Sequence, residues 1–226
     1  MGGLIPLGDA SRRNAFAPLA TLLIILANAF VFLQELAGGD DFVARWSTIP
    51  AVVFSGHRAI TLLTGMFLHA SWMHIIGNMI FLWAFGPEIE GAMGRMRYLV
   101  FYLAGGLIAM LAQALADPES TIPCLGASGA IAAVMGAFLV TFPGDRIRTV
   151  LFFLIFFRIT YIPAIFLIGF WFLTQLLNAG AVSNLRMGGV AYLAHLDGFV
   201  FGAVTGRFFV DPRRVGRKIR FPRFRT

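Results

Sequence analysis

The feature that most constrains this chain is a succession of long apolar stretches separated by short polar or Gly/Pro-rich breaks. A helix needs about 20 mostly apolar residues to cross the hydrocarbon of a bilayer, and only helices or closed barrels satisfy their backbone groups there. These runs are too long for barrel strands, so they predict membrane-spanning helices. Composition points the same way: of 226 residues 58% are hydrophobic and 13% charged, and the mean hydropathy is +0.80. Such values exclude an ordinary soluble domain and leave little chain for one beside the membrane part. The single cysteine, Cys124, excludes an internal disulfide.

Six spans are expected, near Phe16–Leu36, Trp72–Glu90, Tyr98–Ala116, Ser128–Phe142, Pro163–Ala179 and Gly188–Phe209. The predicted architecture is an all-α polytopic bundle over residues 16–209, with residues 1–15 as a cytoplasmic N-terminus and 210–226 as a basic cytoplasmic tail. The "ANA" at Ala27–Ala29 resembles a signal-peptidase site, so a cleaved leader is the alternative for the first run, although its apolar character continues through "FVFLQEL". The long run from Val150 to Leu177 is interrupted by Arg158 and Pro163, which makes Val150–Phe157 an interfacial segment. The fourth span is short and carries Gly129, Ala130, Ala132, Ala133, Gly136 and Ala137. Small residues let backbones approach, so this helix is expected in the middle of the bundle. Gly198, Gly202 and Gly206 repeat a GxxxG spacing in the sixth span, the mark of another tightly packed face.

Charge orients the bundle. Of 18 Lys and Arg residues, eight lie in the last 20 residues: Arg207, Arg213, Arg214, Arg217, Lys218, Arg220, Arg223 and Arg225. Beside a membrane span such a tail is an anchor on anionic lipid headgroups rather than a nucleic-acid site. With both termini in the cytoplasm, Arg12, Arg13, Arg95, Arg97, Arg146 and Arg148 join it on the inner side. Only Arg45, Arg58 and Arg186 fall in outer loops, and Arg158 sits at the inner edge of span five, as the positive-inside rule requires.

Ionisable and polar side chains inside spans are costly and therefore informative. The second span opens "HASWMHIIGN", with His69 just before it and His74 and Asn78 four apart on one helix face. The sixth contains "YLAHLDG", with His195 and Asp197, and the fourth begins "GASGA", with Ser128 between Gly126 and Gly129. A lone buried His is usually satisfied by a carbonyl, and a Ser among small residues usually marks helix packing. Parity adds a second argument: spans two, four and six all run from outside to inside, so His74, Ser128 and His195 share one depth in the outer leaflet. If the fourth helix is central, both of the others reach it.

That set contains the parts of acyl transfer. A serine hydroxyl becomes a nucleophile when an adjacent imidazole, with a pKa of about 6.5, takes its proton. An Asn amide, a His N–H and a free backbone N–H at a helix start can hold the resulting oxyanion. Ser128 is therefore expected as nucleophile, His195 as base, and His74, Asn78 and the Ser128 N–H as oxyanion donors. Asp197 stands two residues after His195, about 200° away on a helix, so it cannot hold the imidazole; it is either neutral or paired across the bundle. No metal site is expected, because His69 and His74 are five apart and lack the HExxH spacing. His57 is expected as a surface residue.

With these residues in place, the chain resembles the rhomboid intramembrane serine proteases over nearly all its length. The motifs are HxxxxHxxxN at His69, His74 and Asn78, GxSG at Gly126–Gly129, and AHxxGxxxG at Ala194, His195, Gly198 and Gly202. The resemblance implies a six-helix core with a Ser128/His195 dyad, an oxyanion site at His74, Asn78 and the Ser128 backbone, and cleavage of other proteins' transmembrane segments without a cofactor. The chain departs from the pattern in three places. His57 and Arg58 replace a Trp-Arg pair common in bacterial members. Ala132 stands where some carry an aromatic that packs on the catalytic imidazole, so another group must position His195. Asp197 stands where a small residue is common.

The expected substrates are single-span proteins with small or helix-breaking residues near the outer boundary, and the expected location is a prokaryotic plasma membrane. A non-catalytic relative that binds transmembrane helices as a scaffold or quality-control factor is the rival reading. A transporter using His74, His195 and Asp197 as a proton path is a third, and it lacks an inverted repeat.

Overall fold

The computed structural model describes residues 2–11, 17–153, 156–182 and 192–215. In chain order these form β1 (Gly2–Asp9), α1 (Leu19–Trp46), α2 (Pro50–Phe54), α3 (Thr61–Thr64) with a 3-10 turn at Gly65–Phe67, and α4 (Trp72–Met93). There follow α5 (Arg95–Ala116), α6 (Ser128–Thr141), β2 (Arg146–Phe153), β3 (Phe156–Pro163), α7 (Ala164–Val182), α8 (Tyr192–Phe209) and α9 (Pro212–Val215). Among these, α1 and α5 are by themselves long and apolar enough to cross a membrane. Helix α4 joins them if Thr61–Phe67, bent 90° from it, is counted as part of one broken span.

Each helix buries only what it needs to. Along α1 the buried residues are Ala20, Thr21, Ile24, Asn28, Phe32 and Glu35, one stripe at helical spacing, while Leu23, Leu26, Phe30 and Leu33 are exposed, as a lipid-facing surface should be. The polar members of the stripe face inward, where they find partners. The α1 start has no cap of its own at Pro18. Glu90 of α4 supplies one: its carboxylate accepts from Ala20 N at 3.0 Å and from Thr21 N and Oγ1, each at 2.8 Å. A carboxylate on free N–H groups at the positive end of a helix suits both partners.

Helix α6 is the opposite case, with every residue from Gly129 to Phe138 buried. It touches α4, α5, α7 and α8, and small residues set the spacing. A methyl group at Gly198 or Gly202 of α8 would overlap the carbonyl oxygen of Gly129 or Ala133, and one at Gly136 would overlap that of Phe199. Gly105 and Gly106 of α5 lie against the Cβ atoms of Ala133 and Ala130, and Gly106 also against the Met66 side chain. Backbones this close are what the four-residue glycine spacing provides.

The all-α expectation is corrected by a three-stranded antiparallel sheet in the order β1-β2-β3. The register runs from Arg146↔Pro163 to Phe153↔Phe156 in the hairpin and pairs Leu4 with Leu151 at the other edge. Of the segment expected to be interfacial, Val150–Phe157, the described residues 150–153 and 156–157 lie in these strands, and Pro163 ends β3 rather than opening a helix. The physical reason is visible in "RIRTV", where Ile147 and Thr149 are buried while Arg146 and Arg148 are exposed. That period of two, with β-branched residues, favours a strand, and the aromatic run that follows hides it in a hydropathy average. Close to the expected end of the first span the helix is interrupted, and helical turns resume beyond the break. Helix α1 continues to Trp46 past a break at Gly39 (φ 58°), so Arg45 lies in its last turn and not in a loop. Phe16, Gly188–Ala191, Arg12, Arg13, Arg186 and the tail beyond residue 215 lie outside the described residues.

Candidate active site

The segment that delivers Ser128 is tied down before α6 begins. Thr48 and Cys124 exchange two backbone hydrogen bonds, 3.0 and 2.7 Å, and Gly126 N donates to Gly65 O at 2.9 Å. Gly126 has φ +125°, and a Cβ there would sit 2.9 Å from Cε1 of His74, so only glycine lets the chain pass between that ring and the serine. Ser128 is the first residue of α6, His74 the third of α4 and His195 the fourth of α8. The three helix starts therefore meet at one level.

Ser128 Oγ lies 2.7 Å from His195 Nε2. The other imidazole nitrogen, Nδ1, lies 2.7 Å from Oε1 of Gln175 on α7. Trp171, one turn earlier on α7, places its ring 5.8 Å from that of His195, and Tyr192 approaches edge-on at 6.3 Å. Ala132, one turn into α6, is fully buried and offers only a methyl group. The imidazole is therefore positioned from α7 and from its own helix.

On the opposite flank, Ser71 caps α4, its hydroxyl accepting from His74 N at 3.2 Å. His74 Nδ1 accepts from Ala70 N at 3.4 Å. A neutral imidazole has one donor and one acceptor, so the proton rests on Nε2, the nitrogen turned toward Gly126. One turn on, Asn78 is buried, and its Nδ2 has no hydrogen-bond partner among the described residues. His69 works at one remove: its N–H donates to both oxygens of Glu35, its Nδ1 lies 3.2 Å from Phe67 O, and its ring packs edge-on against His74 at 5.1 Å. Gly129, Gly198 and Gly202 take no part in the polar site; they set the closeness of α6 and α8.

Asp197 is half-buried on α8 and has no hydrogen-bond or ion-pair partner among the described residues. His57 is exposed and meets Ser55 Oγ at 3.2 Å, and Arg58 donates to Ala44 O at 3.0 Å. Among the described residues no three His, Cys, Asp or Glu side chains converge as metal ligands. Two polar residues of the site escaped the sequence reading, Gln175 and Gln113, whose Oε1 accepts from Ala194 N at 3.2 Å at the start of α8. The signal was present, since each is an amide inside an apolar run.

Chemically, the arrangement places a hydroxyl against an imidazole nitrogen, beside a cluster of N–H donors, at the end of a helix packed on both neighbours. This is a multi-pass membrane protein with a polar site at its helix ends. Residues 56–212 match the Rhomboid domain, and the chain belongs to the rhomboid family. It is 31% identical over 153 residues to "Rhomboid protein 1, mitochondrial" of Saccharomyces cerevisiae, covering 65% of this chain and 41% of that protein. It is 31% identical over 138 residues to "Rhomboid protease GluP" of Bacillus subtilis, with 59% of this chain and 26% of that one covered. To "Presenilin-associated rhomboid-like protein A, mitochondrial" of Danio rerio it is 30% identical over 134 residues, 58% of this chain and 34% of that one. The chain thus spans less than half the length of each of these relatives.

Proposed function

We propose that this chain is an intramembrane serine endopeptidase, a six-span member of its family that cleaves transmembrane segments of other membrane proteins near the outer leaflet. The observation that carries the reading is the 2.7 Å approach of Ser128 Oγ to His195 Nε2. His195 takes the hydroxyl proton as Oγ attacks the scissile carbonyl, and later gives it to the leaving amine. The oxyanion of the tetrahedral intermediate falls to His74 Nε2–H, to Asn78 Nδ2, unpartnered among the described residues, and to the Ser128 N–H, which has no acceptor within its helix. Water then releases the acyl group by the same steps in reverse. These are the chain's own residues, and the mechanism uses no cofactor.

Because a helical substrate hides its carbonyls, the preferred substrate is a single-span segment that unwinds readily at small or helix-breaking residues. The arginine distribution supports a cell-membrane protein with both termini in the cytoplasm and a basic tail on anionic headgroups.

The test is labelling of the detergent-solubilised full chain with a fluorescent fluorophosphonate. The parent should label, and Ser128→Ala and His195→Ala should lose at least 99% of the signal, since a positioned base contributes about 10²–10⁴-fold. A parent that stays unlabelled, or Ser128→Ala that labels equally, rejects the protease and leaves a helix-binding scaffold.

A further inference from the structure

We propose that Gln175 is the positioning residue for His195: its side-chain carbonyl, held on α7, fixes the imidazole as the Nδ1–H tautomer and turns the Nε2 lone pair to Ser128. The inference rests on the reading of Ser128 and His195 given above. It answers a question left by Ala132, namely what orients an imidazole that has no aromatic from α6 against it.

The argument comes from the hydrogen-bond chain. Thr174 Oγ1 donates to Trp171 O at 2.6 Å, which leaves the hydroxyl oxygen free to accept. The Gln175 amide nitrogen donates to that oxygen at 3.2 Å and to Trp171 O at 3.4 Å. Both N–H bonds of the amide are thereby used on α7 itself. Its oxygen is left facing His195 Nδ1 at 2.7 Å, and a carbonyl oxygen can only accept. Nδ1 must therefore carry the proton, and the remaining nitrogen has only a lone pair to offer the hydroxyl 2.7 Å away. Every bond from Ser128 to the α7 backbone then points in one direction, an order in which each bond polarises the next. Gln175 is buried, so water does not substitute for it freely.

A neutral amide does this differently from a carboxylate. It fixes the tautomer without adding charge, so it leaves the proton affinity of the imidazole to the other groups nearby. Those are His74 of α4 across Gly126, and Tyr192 and Asp197 on α8 itself.

The full chain in detergent, with ¹⁵N-labelled histidine, tests the tautomer directly; the His195 signal is the one missing from His195→Ala. In the parent at pH 8, Nδ1 should be protonated and Nε2 bare, and Gln175→Leu should move the population toward Nε2–H. In parallel, Gln175→Leu should react with the fluorophosphonate about 10²-fold more slowly than the parent, within the range ascribed to a general base. Gln175→Glu should keep most of the rate above pH 8 and move the acid limb of the labelling profile upward by about one pH unit, because a carboxylate favours the imidazolium. A residue that merely packs would leave both the tautomer and that limb in place. Finding the Nε2–H tautomer in the parent, parent-like labelling by Gln175→Leu, or an unmoved limb in Gln175→Glu overturns the proposal. If Gln175→Leu fails to fold, the parent tautomer and Gln175→Glu still decide. A parent with the Nδ1–H tautomer that does not label supports the Gln175 contact and overturns the protease reading instead.

Discussion

Helix α8 is gripped on two sides by different means. Toward α6 it presents Gly198, Gly202 and Gly206, and backbone meets backbone, with carbonyl oxygens of Gly129 and Ala133 filling the space a side chain would need. Toward α7 it presents Phe199, which packs on Phe172 at 4.5 Å and on Trp171 at 6.4 Å, and His195, which reaches Gln175. The first seam has two surfaces that cannot slide without collision. The second is made of side-chain tips, and much of α7 is exposed, including Phe166, Phe170, Leu173 and Leu177. Ser128 and His195 sit across the first seam, and the group that orients the imidazole sits across the second. In hydrocarbon the apolar surface of α7 gains little by leaving lipid, so packing and hydrogen bonds have to hold it.

The largest effect is therefore expected at the glycine seam. Gly202→Val puts a branched Cβ onto the Ala133 carbonyl, and overpacking of that kind costs about 3 kcal/mol, since the neighbour is backbone and cannot turn aside. Thermal unfolding in detergent should show a protein that melts far below the parent or does not accumulate. A variant as stable as the parent would mean that α6 and α8 are not locked as described. Phe172→Ala should act more gently and in another way. It removes an aromatic pair worth about 0.5–1.5 kcal/mol beyond its area, so the midpoint should fall only slightly while labelling of Ser128 slows several-fold as α7 loosens its hold on His195. Equal losses of stability in the two variants would erase the distinction between the seams.

How much of this was legible beforehand differs along the same line. The α6–α8 seam could be read directly, because GxxxG spacing and a run of small residues have one common meaning in a membrane. The meeting of Ser128, His74 and His195 was legible as well, since each stands at the start of a helix and parity puts the three starts at one level. Gln175 was not. It lies 20 residues from His195 in an apolar run, and nothing local says which neighbour an amide will face. The sheet was missed for a related reason: "TVLFF" and "FFRIT" read as membrane segments by hydropathy, and their strand character comes from pairing with each other and, for "TVLFF", with Gly2–Asp9, more than 130 residues away. The Glu90 cap on α1 is equally non-local. Features set by spacing within one helix can be read from the chain, and features that complete a partner far away need the fold.

The smallest effect concerns how α7 is anchored at its other end. Ala164 N, the first of α7, donates to Asp145 O at 2.8 Å, and Asp145 leads into β2. Against it comes β1, whose Asp9 lies close to Asp145; just past the strand, Ala10 N donates to Arg146 O at 2.8 Å. Burial, with the Asp145 carboxylate adding to it, pushes the Asp9 pKa up from 3.8 to about 6. The sign follows from the protons bound. Between pH 4 and 6 the docked strand holds a proton that the free strand has released, so docking weakens as pH rises through that window and levels off above it. Hydrogen exchange at the β1 amides, corrected for its intrinsic pH dependence, should therefore show less protection at pH 7 than at pH 4.5. Asp9→Asn, which keeps the shape and cannot ionise, should flatten that difference. If protection instead grows with pH in the parent, the two carboxylates do not oppose each other, and β1 is held on α7's anchor by charge rather than despite it.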